Sequence, residues 1–400
     1  MRKSIKIIMV CVVLTVAGFI LAAAGVFFGG EVYGLQINSD GIQVSAPLLD
    51  EKKEKSVCRK AEETLDAFDA VQLEGGYENV RIKIEAQDSD DYVLSYCLRQ
   101  DRPFSKEIKD GKLILKNENK KVLGIKNVSF TWFSVGRDSY VEQMEEYVTI
   151  RVPKDAELTS AEIKTDSGET ACENIQADLL KIKSDYGNAD LLNVRSKEMQ
   201  IQLDCGDLNM ENVQADKCTV QDEYGNASFQ QASFTGGMDI EMDSGNLVCE
   251  NSSFGVLNVT SSYGNADILE CKSGSVQMMM DSGNIMCQDS FMDSLHAVTA
   301  YGNLDVRRCG LGNVQISLES GECRMKEVLA DSCAIDSEYG SVSLELKKPL
   351  TDYAYRLAAE YGTVKIDGKD MGSSYASLEG DESRKNQIEI MCRSGDIVIQ

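Results

Sequence analysis

Residues 176–194 read QADLLKIKSDYGNADLLNV, residues 195–213 read RSKEMQIQLDCGDLNMENV, and residues 214–232 read QADKCTVQDEYGNASFQQA. Aligned on Gly187, Gly206 and Gly225, the three lines share one pattern of apolar positions. The same glycine, preceded by Ser, Tyr or Cys and usually by an acid before that, recurs at Gly168, Gly245, Gly264, Gly283, Gly302, Gly321 and Gly340. The interval is 19 residues everywhere except between Gly225 and Gly245, where it is 20, and looser copies follow at Gly362 and Gly395. A fixed short period predicts a solenoid, in which each repeat buries its apolar face only by stacking on its neighbours.

Counting outward from the glycine identifies the side chains that face inward. Five residues before it stand Ile163, Ile182, Ile201, Val220, Ile240, Val259, Met278, Ala297, Ile316 and Ile335; seven before, the column runs Ala161, Leu180, Met199, Cys218, Met238 and on to Cys333; four after, Cys172, Leu191, Met210, Phe229, Cys249 and on to Leu344. Every entry in these columns is apolar. Alternate residues sharing one face require β-strands, and the glycine shifts the phase by one, as a corner does. The expected fold is therefore all-β: a single-stranded, right-handed parallel β-helix of about 19-residue coils. One repeat per coil gives twelve coils and a rod of roughly 58 Å at about 4.8 Å per coil; two repeats per 38-residue coil would halve that length.

The residue before the glycine alternates along the chain: Ser167, Tyr186, Cys205, Tyr224, Ser244, Tyr263, Ser282, Tyr301, Ser320, Tyr339. Beside each Tyr, the residue two earlier is small or short (Ser184, Asp222, Ser261, Thr299, Ser337), whereas in the other coils it is mostly large (Thr165, Leu203, Met242, Met280, Leu318). Ala189, Ala227 and Ala266 repeat the compensation two residues after the glycine. Because interiors pack at near-crystal density, this reads as volume balancing, which places the tyrosines in the core rather than in a carbohydrate-stacking ladder.

The N-terminus suggests the compartment. Arg2, Lys3 and Lys6 precede an uncharged apolar run from Ile7 to Phe28, and the first charge after it is Glu31. A helix of that length reaches roughly 33 Å, enough to cross a hydrocarbon core of about 30 Å, and the basic flank keeps the N-terminus inside. The expected organisation is a cytoplasmic basic tail over 1–6, a transmembrane anchor over 7–29, a linker over 30–66 with one short helix within 51–67, an N-terminal β segment or cap over 67–153, and β-helix repeats over 154–400. The expected location is a single-pass cell-membrane protein with the bulk of the chain outside the cytoplasm. Ala22-Ala23-Ala24 leaves room for the rival reading, a cleaved signal peptide. Phe130, Trp132 and Phe133 form an aromatic cluster that either caps the first coil or makes an exposed contact patch.

Function classes are narrowed mainly by exclusion. A net charge of −24 repels nucleic acid, whose binding rests on Lys and Arg neutralising phosphates. Of thirteen cysteines, ten (Cys172, Cys205, Cys218, Cys249, Cys271, Cys287, Cys309, Cys323, Cys333 and Cys392) fall on the inward lattice. Column neighbours such as Cys249 and Cys287 would lie about 9.6 Å apart, beyond disulfide reach, so these residues read as buried free thiols. No CxxC pair supports zinc, and the single histidine, His296, falls on an outward position. The turns carry acids before the glycine (Asp166, Asp185, Asp204, Glu223, Asp243, Asp281) and amides after it (Asn188, Asn226, Asn246, Asn265, Asn284, Asn303). Asx side chains stabilise turns and stack into amide ladders; the alternative use of aligned carboxylates is calcium binding. No catalytic, cofactor-binding or metal-binding residue is assigned, and no cofactor is implied.

The apolar N-terminal span, the stretch YVTIRVPKDAELTSAEIKTDSGE (147–169) and the recurrent S/D-Y-G-N and D-S-G-N turns together resemble the bacterial putative-adhesin β-strand-repeat family, a domain of unknown function. The resemblance covers roughly residues 66–400. It implies a right-handed β-helix exposed on the cell envelope and carries over no functional residue. The expected function is a non-enzymatic, membrane-anchored surface module, an adhesin or scaffold whose partners are the membrane itself and a cell-wall or host glycan or protein. The alternatives are an envelope structural or stress-signalling component acting on membrane proteins, and a polysaccharide-active β-helix enzyme using grouped carboxylates.

Overall fold

A computed structural model describes residues 33–38, 41–47, 58–75, 79–99, 104–117, 128–130, 145–376 and 386–400. The expected anchor over 7–29 and the residues around Trp132 lie outside these. Among the described residues no helix is long and apolar enough to cross a membrane.

Each repeat makes one coil. A long strand such as Gln176–Tyr186 meets the glycine corner, a short strand such as Ala189–Leu192 follows, and a second corner leads into the next coil at Arg195–Cys205. Successive coils pair in parallel one repeat apart, Ile182 on Ile201 and Tyr186 on Cys205 in the long strands, Ala189 on Leu208 and Leu191 on Met210 in the short ones. The 38-residue alternative is thereby excluded. The result is a β-solenoid of right-handed type with about 10 turns.

The two corners have different chemistry. At the first, Gly187 has φ 149°, and a Cβ there would sit 1.9 Å from the Gly168 carbonyl oxygen of the coil beneath. Backbone stacks directly on backbone at this point, so no side chain fits. At the second, Asn174, Asn193, Asn212, Gln231 and Asn251 hold φ near 50–58°, a left-handed conformation that Asn tolerates best among residues with a Cβ.

The interior columns are dry. Leu180, Ile182, Ala189 and Leu191 are all buried, as are their equivalents along the stack. A further inward column lies seven residues after the glycine, at Ile175, Val194, Val213, Ala232, Ser252, Cys271, Ser290, Cys309 and Val328. Its polar members satisfy the second corner: the Ser252 hydroxyl bonds the Glu250 carbonyl oxygen at 2.8 Å and accepts from the Ala232 N–H at 3.0 Å, while the Cys271 thiol donates to the Leu269 carbonyl oxygen at 3.2 Å. The one 20-residue coil absorbs its extra residue at Gly236-Gly237, where the register shifts between Phe234 and Met238. Val220 still meets Ile240 and Tyr224 still meets Ser244, so the bulge leaves the glycine corner in step.

The C-terminal coils do not stack in chain order. Asn386–Ser394, the last long strand, pairs with Cys323–Tyr339 on one side and with Tyr353–Tyr361 on the other. The glycine column follows the spatial order: a Cβ on Gly395 would strike Gly340, and one on Gly362 would strike Gly395. The chain thus runs past one coil position, builds the outer coil, and returns to fill the gap.

Both ends of the stack close with antiparallel pairs. Ser374–Ala376 covers Tyr353–Tyr361; at the other end Phe104–Lys109 pairs with Lys112–Asn117, and Cys58–Leu65 pairs with Tyr92–Arg99. Such caps replace the long parallel edges of the coils with short strands, two of them rich in charge, which recruit another strand less readily. Cys58–Leu65 corrects the expectation of a linker and short helix there: it pairs along its whole length with Tyr92–Arg99, and that pairing outweighs local helix preference. Tyr33–Asn38, Gly41–Pro47 and Val128–Phe130 form an antiparallel sheet of their own.

Candidate functional site

The corner that ends each long strand is where the structure overturns the sequence reading. Tyr186, Tyr224, Tyr263, Tyr301, Tyr339 and Tyr361 are not core: they are between 54% and 70% exposed. A two-residue period puts them in phase with the buried residue two positions earlier, but the bend at the glycine leaves no interior beneath the last strand position, and a ring of that volume stands out into solvent. Cys205, on the same column, is only half-buried, which corrects its placement on the inward lattice.

The size alternation is nonetheless real one step inward. Thr165, Ser184, Leu203, Asp222, Met242, Ser261, Met280, Thr299, Leu318 and Ser337 are all buried. At this position, next to the corner, large and small residues alternate, so each Leu or Met lies beside a small residue of the neighbouring coil and the interior stays filled. Thr165 and Ser184, neighbouring small residues, share a 3.0 Å hydroxyl hydrogen bond.

Tyrosine occupies every second coil of the flank and Ser or Cys the coils between. At the C-terminal end Ser394 lies between Tyr339 and Tyr361, so the alternation survives the change of chain order. The six rings follow one line at intervals of about 9.6 Å, spanning about 48 Å.

Two polar rows border the rings. After the glycine, the expected amide ladder is present: Asn246, Asn265, Asn284 and Asn303 each donate through Nδ2 to the Oδ1 of the residue beneath at 3.0–3.2 Å, and each backbone N–H bonds the same oxygen. Before the tyrosine column run Asp185, Asp204, Glu223, Asp243, Asp281, Glu319, Glu338 and Glu360. Among the described residues, no three acidic, cysteine or histidine side chains group closely enough to hold a metal ion. His296 is exposed, as its position implied, and borders a shallow hollow of about 340 Å³ with Gln315 and Met391.

The cysteine columns behave as small hydrophobes. Cys172, Cys218, Cys249, Cys287, Cys323 and Cys333 are buried and none is in a disulfide. Loss of water pushes the thiols of Cys172 and Cys333 up to about 12 and those of Cys271 and Cys392 up to about 11, which removes the thiolate needed for reactivity.

One buried group has no structural excuse. Asp222 is 2% exposed in the alternating column, and neither carboxylate oxygen makes a hydrogen bond of normal geometry. Loss of water, followed by the nearby Asp207 charge, pushes its carboxyl up to about 7, while the Tyr224 backbone N–H pulls the other way.

A long β-solenoid with one aromatic flank, sealed at both ends and dry within, defines the class of this protein. Residues 72–268 and 238–400 match the family described as Toastrack DUF4097, and the chain belongs to that family. No curated protein matches it. Among solved structures, a putative adhesin from Bacteroides fragilis is 13% identical, with 68% of this chain and 96% of that one covered at a TM-score of 0.33. A putative cell adhesion protein from Clostridium sporogenes is 9% identical, with 86% and 99% covered at a TM-score of 0.20. A putative adhesin from Parabacteroides distasonis is 10% identical, with 71% and 98% covered at a TM-score of 0.26.

Proposed function

We propose that this protein is a non-catalytic binding module of adhesin type, displayed outside the cytoplasm and tethered by the apolar run Ile7–Phe28. The observation that carries the reading is the line of six exposed tyrosines on a rigid parallel sheet. Soluble proteins seldom leave a regular row of aromatic rings in water unless the row meets something, and Tyr supplies contact area at low entropic cost. The −24 charge argues for neutral or cationic partners. The anchor would hold the rod at the surface, with the flank presented along its length.

The test is a comparison of cells producing the chain with cells lacking it, scored for attachment to polysaccharide- and protein-coated surfaces, with surface labelling of Lys and Tyr on intact cells. Labelling and a loss of attachment on deletion are expected. Unchanged attachment to every surface, or a chain protected from label in intact cells, would remove the proposal.

A further inference from the structure

We infer that the tyrosine flank binds an extended β-1,4-linked hexose or hexosamine polysaccharide, uncharged or cationic, lying along the solenoid axis with one ring stacked on every second sugar. This rests on the surface-binding reading above and adds the chemistry of the ligand.

Three observations converge on it. The first is the interval. Two coils advance about 9.6 Å, and two residues of a β-1,4-linked chain, which flip face from one sugar to the next, advance by nearly the same distance. Successive rings such as Tyr224, Tyr263 and Tyr301 would then meet equivalent sugar faces, the small excess of the sugar repeat being taken up by twist of the chain rather than held in register over all six rings. The C-terminal coil supports the point: Ser394, not a further ring, separates Tyr339 from Tyr361, so the interval is kept where chain order alone would break it.

The second is shape. The rings are more than half exposed, and two hollows of the surface lie elsewhere, one beside Phe234, Phe254 and Phe291 and one beside His296. A raised row of rings suits the flat face of a pyranose. A polyproline helix, whose turn of about 9.3 Å is similar in length, is gripped in grooves between aromatic residues, whereas these rings stand more than half exposed.

The third is charge and hydrogen bonding. The carboxylate row containing Asp185, Glu223, Glu338 and Glu360 repels uronic or sulfated chains and attracts protonated amino sugars. Each ladder amide uses one N–H on its neighbour, leaving the second to face solvent, where sugar hydroxyls can accept it.

The experiment is affinity electrophoresis of the full chain through gels containing hydroxyethylcellulose, chitosan or polygalacturonate, together with titration by a lysine-containing oligoproline peptide. The wild-type chain is expected to be retarded by the first two and not by polygalacturonate. A triple variant, Tyr224→Ser, Tyr263→Ser and Tyr301→Ser, keeps the fold, because Ser already occupies this position at Ser244, Ser282 and Ser320; it should lose on the order of tenfold or more in affinity with an unchanged Tm. Phe291→Ser, exposed away from the flank, should change nothing. Passage without retardation through hydroxyethylcellulose and chitosan overturns the inference. So does chitosan retardation that survives the triple substitution, which is charge attraction alone, and so does tyrosine-dependent binding of the oligoproline peptide in place of the glycans. If the glycans fail but cells still need the chain to attach, this inference falls and the surface-binding reading stands.

Discussion

Tyr339 and Tyr361 both pair through Ser394, one on each side, although Ser394 follows both in the chain. The last coil has been inserted between two earlier ones. Stacking energy in a solenoid comes from nearest neighbours, so the position a coil takes depends on which faces match and not on the order of synthesis. The Tyr–Ser–Tyr alternation is restored by this insertion, and the outer coil makes its parallel pairs only with the one that arrives last.

A chain ending at residue 385 is therefore expected to lose more than its last coil. Tyr353–Tyr361 and Val364–Ile366 make their parallel pairs only with Asn386–Ser394 and Ile397–Ile399. Limited proteolysis with mass spectrometry should show residues 353–376 cut rapidly in the shortened chain and protected in the full one. Equal protection in both would refute the topology.

Asp222→Ser should stabilise the protein at neutral and alkaline pH. The folded-state carboxyl titrates near 7 against 3.8 for the ordinary group, so the native state holds a proton that the unfolded chain has released. The cost of burial is absent below about pH 4, grows as pH rises from 4 to 7, and is complete above 7. A difference of that size would correspond to about 4 kcal/mol; relaxation around the charged group and the Tyr224 backbone N–H reduce it, and about 1–3 kcal/mol is expected. Urea unfolding of both chains at pH 4.5 and pH 8 checks this, with the gain confined to the higher pH. Ser184, Ser261 and Ser337 already show that Ser fits the column.

Gly245→Ala should be among the most damaging single changes. Its Cβ would sit 1.7 Å from the Gly225 carbonyl oxygen, at a φ of 132°. The coils would have to separate locally, at a cost above about 3 kcal/mol. Thermal unfolding followed by circular dichroism measures it, and a native-like Tm would show that the corner is looser than the stacked backbones indicate.

The buried thiols should be inert until the protein unfolds. Iodoacetamide at pH 8 is expected to spare Cys172, Cys218, Cys249, Cys287, Cys323 and Cys333 in the native chain and to label all of them in guanidinium chloride, while the half-exposed Cys205 reacts in both. Since the folded-state thiols of Cys172, Cys333, Cys271 and Cys392 are raised to about 11–12 against about 9 unfolded, stability is full below pH 9 and falls as pH rises from 9 toward 12. A denaturant midpoint that does not move between pH 8 and pH 10.5 would contradict this.

Asn265→Ala interrupts the amide ladder at its centre, removing the bonds to Asn246 and Asn284 and the capped N–H of residue 284. Because these groups are exposed and water replaces part of the loss, about 1 kcal/mol is expected, with faster amide exchange at residue 284, and not at 265, as the site-resolved check.

The amino-acid sequence by itself determined the coil. Period 19 and the two-residue alternation are local facts, repeated often enough that columns such as Ile182–Ile201–Val220 could face only one way. The ladder from Asn246 to Asn303, the buried thiols and the outward His296 followed from the same register. Tertiary structure alone decided what happens where the alternation ends. Tyr186 looks inward by period and stands outward, because a corner has no interior beneath its last residue, and periodicity cannot see a corner's convex side. The strand over Cys58–Leu65 and the insertion of Asn386–Ser394 were equally hidden, since both depend on which distant edge is left unpaired once the rest of the stack has formed.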